Sequence, residues 1–432
     1  VLAVFGVTIA LMIVAILFFP SFKIKNFPIN TFWIVALVGA IVLLACQGIT
    51  FKEVGAGLTS KSEINPLKIL TLFLSMTALS IFLDEVGFFS YIASLALKKS
   101  QGSQTKLFVT LYAMVSFLTI FTSNDIIILT FTPFICYFAK NAKINPTPFL
   151  VAEFVGANTW SMMFIIGNPT NIYLATASGI NFLEYFKVMA LPTLFAGVVS
   201  FGMLYLLFFR QLKTPIQRVE EKPTITNKPL IIVGLVHLIL CTILLVVSSY
   251  IGLEMWLIAL VFAVSLMICV LIFNAVKRQK PVIAFHTVAR LPWELVPFVI
   301  SMFVFVLALN KCGVTSILNK AFGTTFTTLK YGFGSLLCAN IINNIPMSVL
   351  FSQIADGLQG ATLSRAIYAS IAGSNIGAFL TPLGALAGIM WLGILKKNEI
   401  KFSFFDFVKY GCVIAIPTFF ACLGGIEIAM LF

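Results

Sequence analysis

Four short polar segments interrupt otherwise apolar stretches of this 432-residue chain, and they hold the side chains able to do chemistry. The first, Phe121-Thr-Ser123-Asn124-Asp125-Ile-Ile-Ile, sets a carboxylate between two apolar arms. The second, Gly156-Ala-Asn158-Thr159-Trp160-Ser161, is followed by Gly167-Asn168-Pro169-Thr170-Asn171 within a single apolar run. The third is Asn340-Ile-Ile-Asn343-Asn344-Ile-Pro346. The fourth joins Gly373-Ser374-Asn375-Ile-Gly377 to Thr381-Pro382-Leu-Gly384. Amides, hydroxyls and one carboxylate suit the binding of a cation or a small polar solute. Hydrolytic chemistry is set aside, because both His lie outside these segments and the motifs H-E-x-x-H and G-x-S-x-G with a His partner are absent.

Asp125 is the sharpest signal. A carboxylate at the centre of a membrane helix costs about 2.5–3.5 kcal/mol, so it needs a reason to be there. The plain reason is capping: Ser123 or Asn124 ends the loop, and Asp125 sits in the first helical turn, where the dipole favours negative charge. The functional reason keeps the cap and adds that a buried helix N-terminus forms an ion or substrate site. In the second segment Pro169 removes a donor and disfavours helix at Asn168, which frees backbone groups to coordinate; the alternative is a simple kink. Asn344, ahead of Pro346, is expected to cap the helix that follows it. The first tip carries Asp125 where the third segment has Asn344, so one titratable carboxylate lies near a pseudo-symmetric axis and suggests H⁺ or Na⁺ coupling. Glu153 is read as either a second proton carrier or an interfacial acid. His237 is expected to be a packed or hydrogen-bonded residue, and Glu294, Glu427 and Lys409 to sit at span ends.

The elements that position these groups must be membrane helices. Sixty per cent of the residues are hydrophobic and 10% charged, with mean hydropathy +1.06, which excludes an ordinary soluble enzyme. The eight Cys are scattered, so neither a disulfide framework nor a zinc site is indicated, and no metal site or cofactor is expected. Apolar runs near 2–20, 31–50, 67–83, 107–139, 149–179 and 188–209 are followed by a similar series to 432. Val1 to Phe19 lacks a basic leader region and is read as a span; the chain begins without Met, so a short preceding segment is expected. Asp84-Glu85 and the stretch to Lys98-Lys99 read as a short interfacial helix.

The two halves match letter by letter at a separation of about 220 residues. Gly156-Ala-Asn158 with Gly167 recurs as Gly373-Ser-Asn375 with Gly384. Glu184-Tyr-Phe-Lys187 recurs as Asp406-Phe-Val-Lys409, and Leu191-Pro-Thr-Leu-Phe-Ala196 as Ile416-Pro-Thr-Phe-Phe-Ala421. The expected fold is an all-α polytopic membrane protein of two inverted repeats, five spans each, with a re-entrant hairpin and a broken helix per repeat. Residues 1–212 form the first repeat (hairpin 106–140, broken helix 149–179), 213–229 a cytoplasmic linker, and 230–432 the second repeat (hairpin 328–356, broken helix 365–395). Under this topology 20 of the 28 Lys and Arg fall on one face, including Lys98, Lys99, Lys140, Lys143, Arg210, Lys277, Arg278 and Lys396. By the positive-inside rule that face is cytoplasmic, so both termini point outward from the inner membrane. The net charge of +13 then reports orientation rather than a nucleic-acid partner.

At these motifs the chain resembles the ion transporter superfamily of secondary carriers, most closely the ArsB-type arsenite permeases, with NhaD-type Na⁺/H⁺ antiporters as relatives. The resemblance covers nearly the whole chain. It implies hairpins and broken helices converging at the midplane, with Ser123, Asn124, Asp125, Asn158, Thr159, Gly167, Asn168, Thr170, Asn343, Asn344, Ser374, Asn375 and Thr381 around substrate and cation; Gly384 joins this candidate set, and Asp125 and Glu153 are the candidate proton carriers. The expected activity is H⁺-coupled efflux of an arsenite- or antimonite-like oxyacid by alternating access; Na⁺/H⁺ antiport is the rival, and a carboxylate symporter ranks below both, because a fixed carboxylate opposes a di-anion. The coupling ion is H⁺ or Na⁺. The partners are the bilayer and the small ion, while a homodimer and a soluble ATPase subunit stay open.

Overall fold

The computed structural model describes residues 1–19, 21–24, 27–59, 65–100, 102–214 and 227–432. Most of the expected 213–229 linker lies outside the described residues. The chain runs α1 (Leu2–Phe18), β1 (Ser21–Ile24), β2 (Phe27–Asn30), α2 (Phe32–Ala45), α3 (Phe51–Thr59), α4 (Pro66–Glu85), α5 (Phe88–Ser100), α6 (Gln104–Phe121), α7 (Asn124–Ala142), α8 (Thr147–Trp160), α9 (Pro169–Ala177) and α10 (Phe182–Phe208). It continues through α11 (Lys228–Ile251), α12 (Met255–Val276), α13 (Val282–Ala289), α14 (Leu295–Lys311), α15 (Val314–Phe322), α16 (Thr327–Ile342), α17 (Asn344–Ile354), α18 (Gly360–Gly377), α19 (Leu386–Lys397) and α20 (Phe404–Ala429). The fold is nearly all-helical as expected; the addition is a small antiparallel ribbon of β1 with β2.

Six described helices, α4, α6, α10, α11, α12 and α20, are long and apolar enough to cross a membrane, and α14 with α15 makes a pair bent by 79°. Their environments differ. In α4, 78% of the apolar window is buried inside the protein, against 28% in α12, so α4 is an inner helix and α12 an outer one. The exposed stripe Val261, Val264, Ile268, Leu271 and Ile272 along α12 would be an aggregation surface in water and is a lipid-facing surface in a bilayer.

The letter-level repeat reappears as repeated local physics. Capping boxes open both α10 (Asn181 with Glu184) and α20 (Ser403 with Asp406). Inside them, Pro192 and Pro417 are each followed by a threonine that bonds back one turn: Thr193 to Met189 O at 2.6 Å and Thr418 to Ile414 O at 2.7 Å. These two helices pack on each other, and Gly425 lets α20 approach the backbone of Pro192. Packing also crosses between the halves: α2 lies on α14, α12 on α4, α7 on α19 and α9 on α17. Ion pairs sit at helix ends, such as Lys68–Glu254 at 2.5 Å and Arg290 with Asp84 (2.7 Å) and Glu85 (2.6 Å). The Lys68 ammonium, helped by Trp256 Nε1–H, holds the Glu254 carboxyl below its ordinary range.

Within each half the broken elements pack tightly, α6 on α8 and α16 on α18. At the α16–α18 crossing a Cβ on Gly373 would run into Ser335 Oγ and the Gly332 carbonyl. Gly373→Ala is therefore expected to destabilise the detergent-solubilised protein by about 1–3 kcal/mol, read as a lower thermal midpoint. Gly424→Ala, with no atom within 4 Å of the added carbon, should not lower it.

Candidate functional site

The first polar tip is a short break between α6 and α7. Ser123 caps α7 by accepting from Ile126 N at 3.5 Å, and Asp125 occupies the first turn. Asn124 Nδ2 donates to Asn158 Oδ1 at 3.0 Å, which fastens the tip to the end of α8; Asn158 Nδ2 in turn donates to Phe154 O at 2.8 Å. Beyond Trp160 the helix unwinds through residues 161–168, with a single 3-10 turn at Ile165–Gly167. A Cβ at Gly167 would strike the Ser161 carbonyl, so the return of the chain there depends on glycine. Asn168 then caps α9, accepting from both the N–H and the hydroxyl of Thr170 at 3.1 Å, with Pro169 at the first helical position.

The second half closes this unwound stretch through one residue. Asn375 Oδ1 accepts from Ser161 Oγ at 3.0 Å and from Asn168 Nδ2 at 2.9 Å, while Asn375 Nδ2 donates to Asn171 Oδ1 at 2.7 Å and to Ile371 O at 2.9 Å. All four hydrogen-bonding positions of the amide are used. Ser374 Oγ donates to Thr170 Oγ1 at 3.1 Å, and Asn171 Nδ2 bonds the Ser161 carbonyl at 2.9 Å. A separate set stays within the second half. Asn340 Nδ2 donates to Gly377 O at 3.0 Å and Asn340 Oδ1 accepts from Thr381 Oγ1 at 2.7 Å, while Asn343 Nδ2 donates to Leu383 O at 3.1 Å. A Cβ on Gly384 would meet Gly377 O at 2.6 Å, which explains the glycine. The cap of α17 is Asn343, at φ 75° and accepting from Ile345 N at 3.4 Å, rather than Asn344: the amide that turns the chain lies one residue before the helix.

After these bonds are formed a few polar atoms are left over. Among the described residues the Asp125 carboxylate has no hydrogen-bond or ion-pair partner, and the buried Asn344 side chain has none. Asn124 Oδ1 and Thr159 Oγ1 are also buried without partners. No described Lys or Arg pairs with Asp125; the ion pairs lie at helix ends. Leftover oxygens beside a helix N-terminus accept hydrogen bonds or coordinate a cation. No described group of three or more His, Cys, Asp or Glu forms a metal cluster.

Glu153 departs from one of its two expected places. It lies nearly two turns into α8, which starts at Thr147, and it is fully buried, so it is not an interfacial acid. Thr132 Oγ1 lies 3.0 and 3.1 Å from its two oxygens, and Trp391 Nε1 donates to Oε2 at 3.3 Å. His237 is the bonded helix residue expected, its Nδ1 2.8 Å from Val233 O. The residues missing from the expected set are Ser161, Asn171, Asn340, Thr132 and Trp391. The first three stand inside the polar segments. Thr132 has a spacing signal, since it lies eight residues after Asn124 on one α7 face; nothing local marks Trp391.

Comparison with known proteins adds the identity of the scaffold. The citrate transporter family (CitMHS) matches residues 13–373. The arsenical pump membrane protein of Escherichia coli K12 is 26% identical over 383 residues, covering 83% of this chain and 86% of that protein. Among solved structures, the YdaH transporter of Alcanivorax borkumensis aligns with TM-score 0.57 at 13% identity, covering 99% of this chain and 96% of its own. MtrF of Neisseria gonorrhoeae, described with a class of antimetabolite efflux pumps, aligns with TM-score 0.52 at 13% identity, covering 99% and 94%. The chain thus belongs to the citrate transporter family of the ion transporter superfamily and is a secondary transporter of the membrane, not an enzyme.

Proposed function

We propose that the protein exports a small neutral oxyacid of the arsenite or antimonite type in exchange for protons, by alternating access, with Asp125 as the coupling residue. The observation that carries this is the division of labour at the breaks: most of their side chains are hydrogen-bonded to each other, whereas Asp125, Asn124 Oδ1 and Thr159 Oγ1 are not. A neutral trihydroxy acid offers O–H donors to those oxygens. When Asp125 is ionised both its oxygens accept from the oxyacid; when it is protonated one of them becomes a donor and the other a weaker acceptor, so proton and substrate compete for one place. The membrane potential adds about 2.3 kcal/mol per charge per 100 mV to the proton's inward drive. Similarity to the arsenical pump membrane protein supports the substrate class.

Na⁺/H⁺ exchange is the second reading, because a carboxylate with an amide and a hydroxyl oxygen is also a hard-cation ligand set. Citrate fits less well: among the described residues no Lys or Arg forms an ion pair at these tips that would balance its charge. For orientation we place the 20-residue basic face in the cytoplasm of the inner membrane, with both termini outside. In support, Lys68–Glu254, Lys311–Glu53 and Arg365–Glu427 each join residues assigned to the outer face, and Arg290 with Asp84 and Glu85 joins residues assigned to the inner one.

Purified protein in liposomes with an acidic lumen and a trapped pH dye tests the activity. Arsenite should accumulate and the lumen should lose protons, whereas Na⁺ or citrate should have little effect; a Na⁺-driven dye response without arsenite uptake would establish the rival reading. Asp125→Asn is expected to abolish pH-driven arsenite accumulation with an unchanged thermal midpoint; accumulation at the wild-type rate would exclude this carboxylate as the coupling group. Asn375→Leu should act the other way. It strands the partners of a saturated amide, each worth about 1–3 kcal/mol when buried and unpaired, so the thermal midpoint falls before any transport assay is made.

A further inference from the structure

Outside the Asp125 tip, the described residues include a fully buried carboxyl with no cation partner, and its surroundings suit a group that gains and loses a proton. Glu153 is fully buried on α8, and no described Lys or Arg forms an ion pair with it. Lys106 on α6, Lys140 on α7, Lys187 on α10, Arg365 on α18 and Lys396 and Lys397 on α19 all stand near helix ends. On α7 the Cys136 thiol lies one turn past Thr132, on the same helix face. Two side chains contact the carboxyl, Thr132 from α7 and Trp391 from α19.

Those two contacts serve both protonation states. Trp391 Nε1–H can only donate, whereas a threonine hydroxyl donates or accepts. As a carboxylate, Glu153 receives a hydrogen bond from each. As an acid it keeps the Trp391 bond on Oε2 and donates from Oε1 to Thr132 Oγ1, 3.0 Å away, with no heavy atom displaced. The second half has no carboxyl at the letter that matches it. The matching position of the second half is Ser370, which bonds only the carbonyl of its own helix at Ala366, at 2.7 Å.

Glu153 lies five residues before Asn158, about 7.5 Å along α8, and Thr132 lies seven residues past Asp125, about 10 Å along α7, both on the inner-face side of the tip in the orientation above. Between Glu153 and that face stands an aromatic cluster. Trp391 has its ring 5.1 Å from Phe154, 5.0 Å from Phe402 and 5.7 Å from Phe407. A crevice of ≈ 20 Å³ opens there between Phe154, Trp391, Phe402 and Tyr410, room for about one water.

We propose that Glu153 is a second proton-binding carboxyl of the transport cycle, on the inner leg of the path, closed off by the Trp391 cluster and opened to the inner aqueous face when α19 and α20 part from α8. On opening, the acid gives its proton to water at the inner face and is left as the carboxylate that Thr132 stabilises; on the return it takes up a proton that has entered by way of Asp125. This rests on the proton-coupled reading above.

The test uses the full-length protein in liposomes and two arsenite assays: uptake driven by an acidic lumen, and counterflow, in which labelled and unlabelled arsenite exchange without net proton movement. Glu153→Gln is expected to cut driven uptake by at least about tenfold while counterflow persists, and Glu153→Asp should restore part of the driven uptake. Trp391→Phe, which keeps the ring and removes the N–H, should shift the pH profile of driven uptake. Wild-type driven uptake in Glu153→Gln would overturn the proposal. So would parallel loss of both assays in a folded variant, and, should that variant not fold, an unmoved pH profile in Trp391→Phe. Wild-type liposomes that exchange arsenite but show no pH-driven uptake would instead overturn the proton-coupled reading, and this proposal with it.

Discussion

The constraint on which this protein rests is that backbone N–H and C=O groups have no water to bond inside a bilayer, so a helix broken there must have its freed groups satisfied by protein. This chain breaks helices in both halves. The unwound residues 161–168 are tolerated because Asn171 takes the Ser161 carbonyl and Asn375 gathers Ser161, Asn168 and Asn171 into one closed set. The break between α18 and α19 is served in the same way by Asn340, which bonds the Gly377 carbonyl and Thr381. Asparagine suits this work because one short side chain supplies two donors and two acceptor sites.

This frame separates residues that build the site from residues left free to act. Asn375, Asn168 and Thr170 are conspicuous in sequence, yet their capacity is spent on one another. Asp125 makes no such bond, and the two buried oxygens of Asn124 and Thr159 are likewise unengaged. The crossed packing of α7 on α19 and α9 on α17 joins the two halves at the helices beside both tips and both breaks.

Much of this was legible in the letters. The apolar runs show a membrane protein because nothing else accommodates a mean hydropathy of +1.06. The Gly-Asn-Pro-Thr-Asn and Thr-Pro-Leu-Gly blocks mark helix breaks because proline lacks a donor and glycine admits the return of the chain. The ribbon of Ser21–Ile24 with Phe27–Asn30 had no signal, since four-residue strands rest on pairing rather than on pattern. Asn343 as the cap in place of Asn344 turned on a single residue's positive φ, which adjacent identical amides cannot reveal.

Sequence alone determined the class of protein, the places where its helices break and the identity of its unusual carboxylate, because bilayer insertion and helix propagation are local properties of composition and of Gly, Pro and Asn placement. Tertiary structure decided which of the polar residues are satisfied. That depends on partners more than 200 positions away, as when Asn375 meets Ser161 and Asn168, or Trp391 meets Glu153. Hydrogen-bond capacity is written in each side chain, but its use is settled only when the two halves pack.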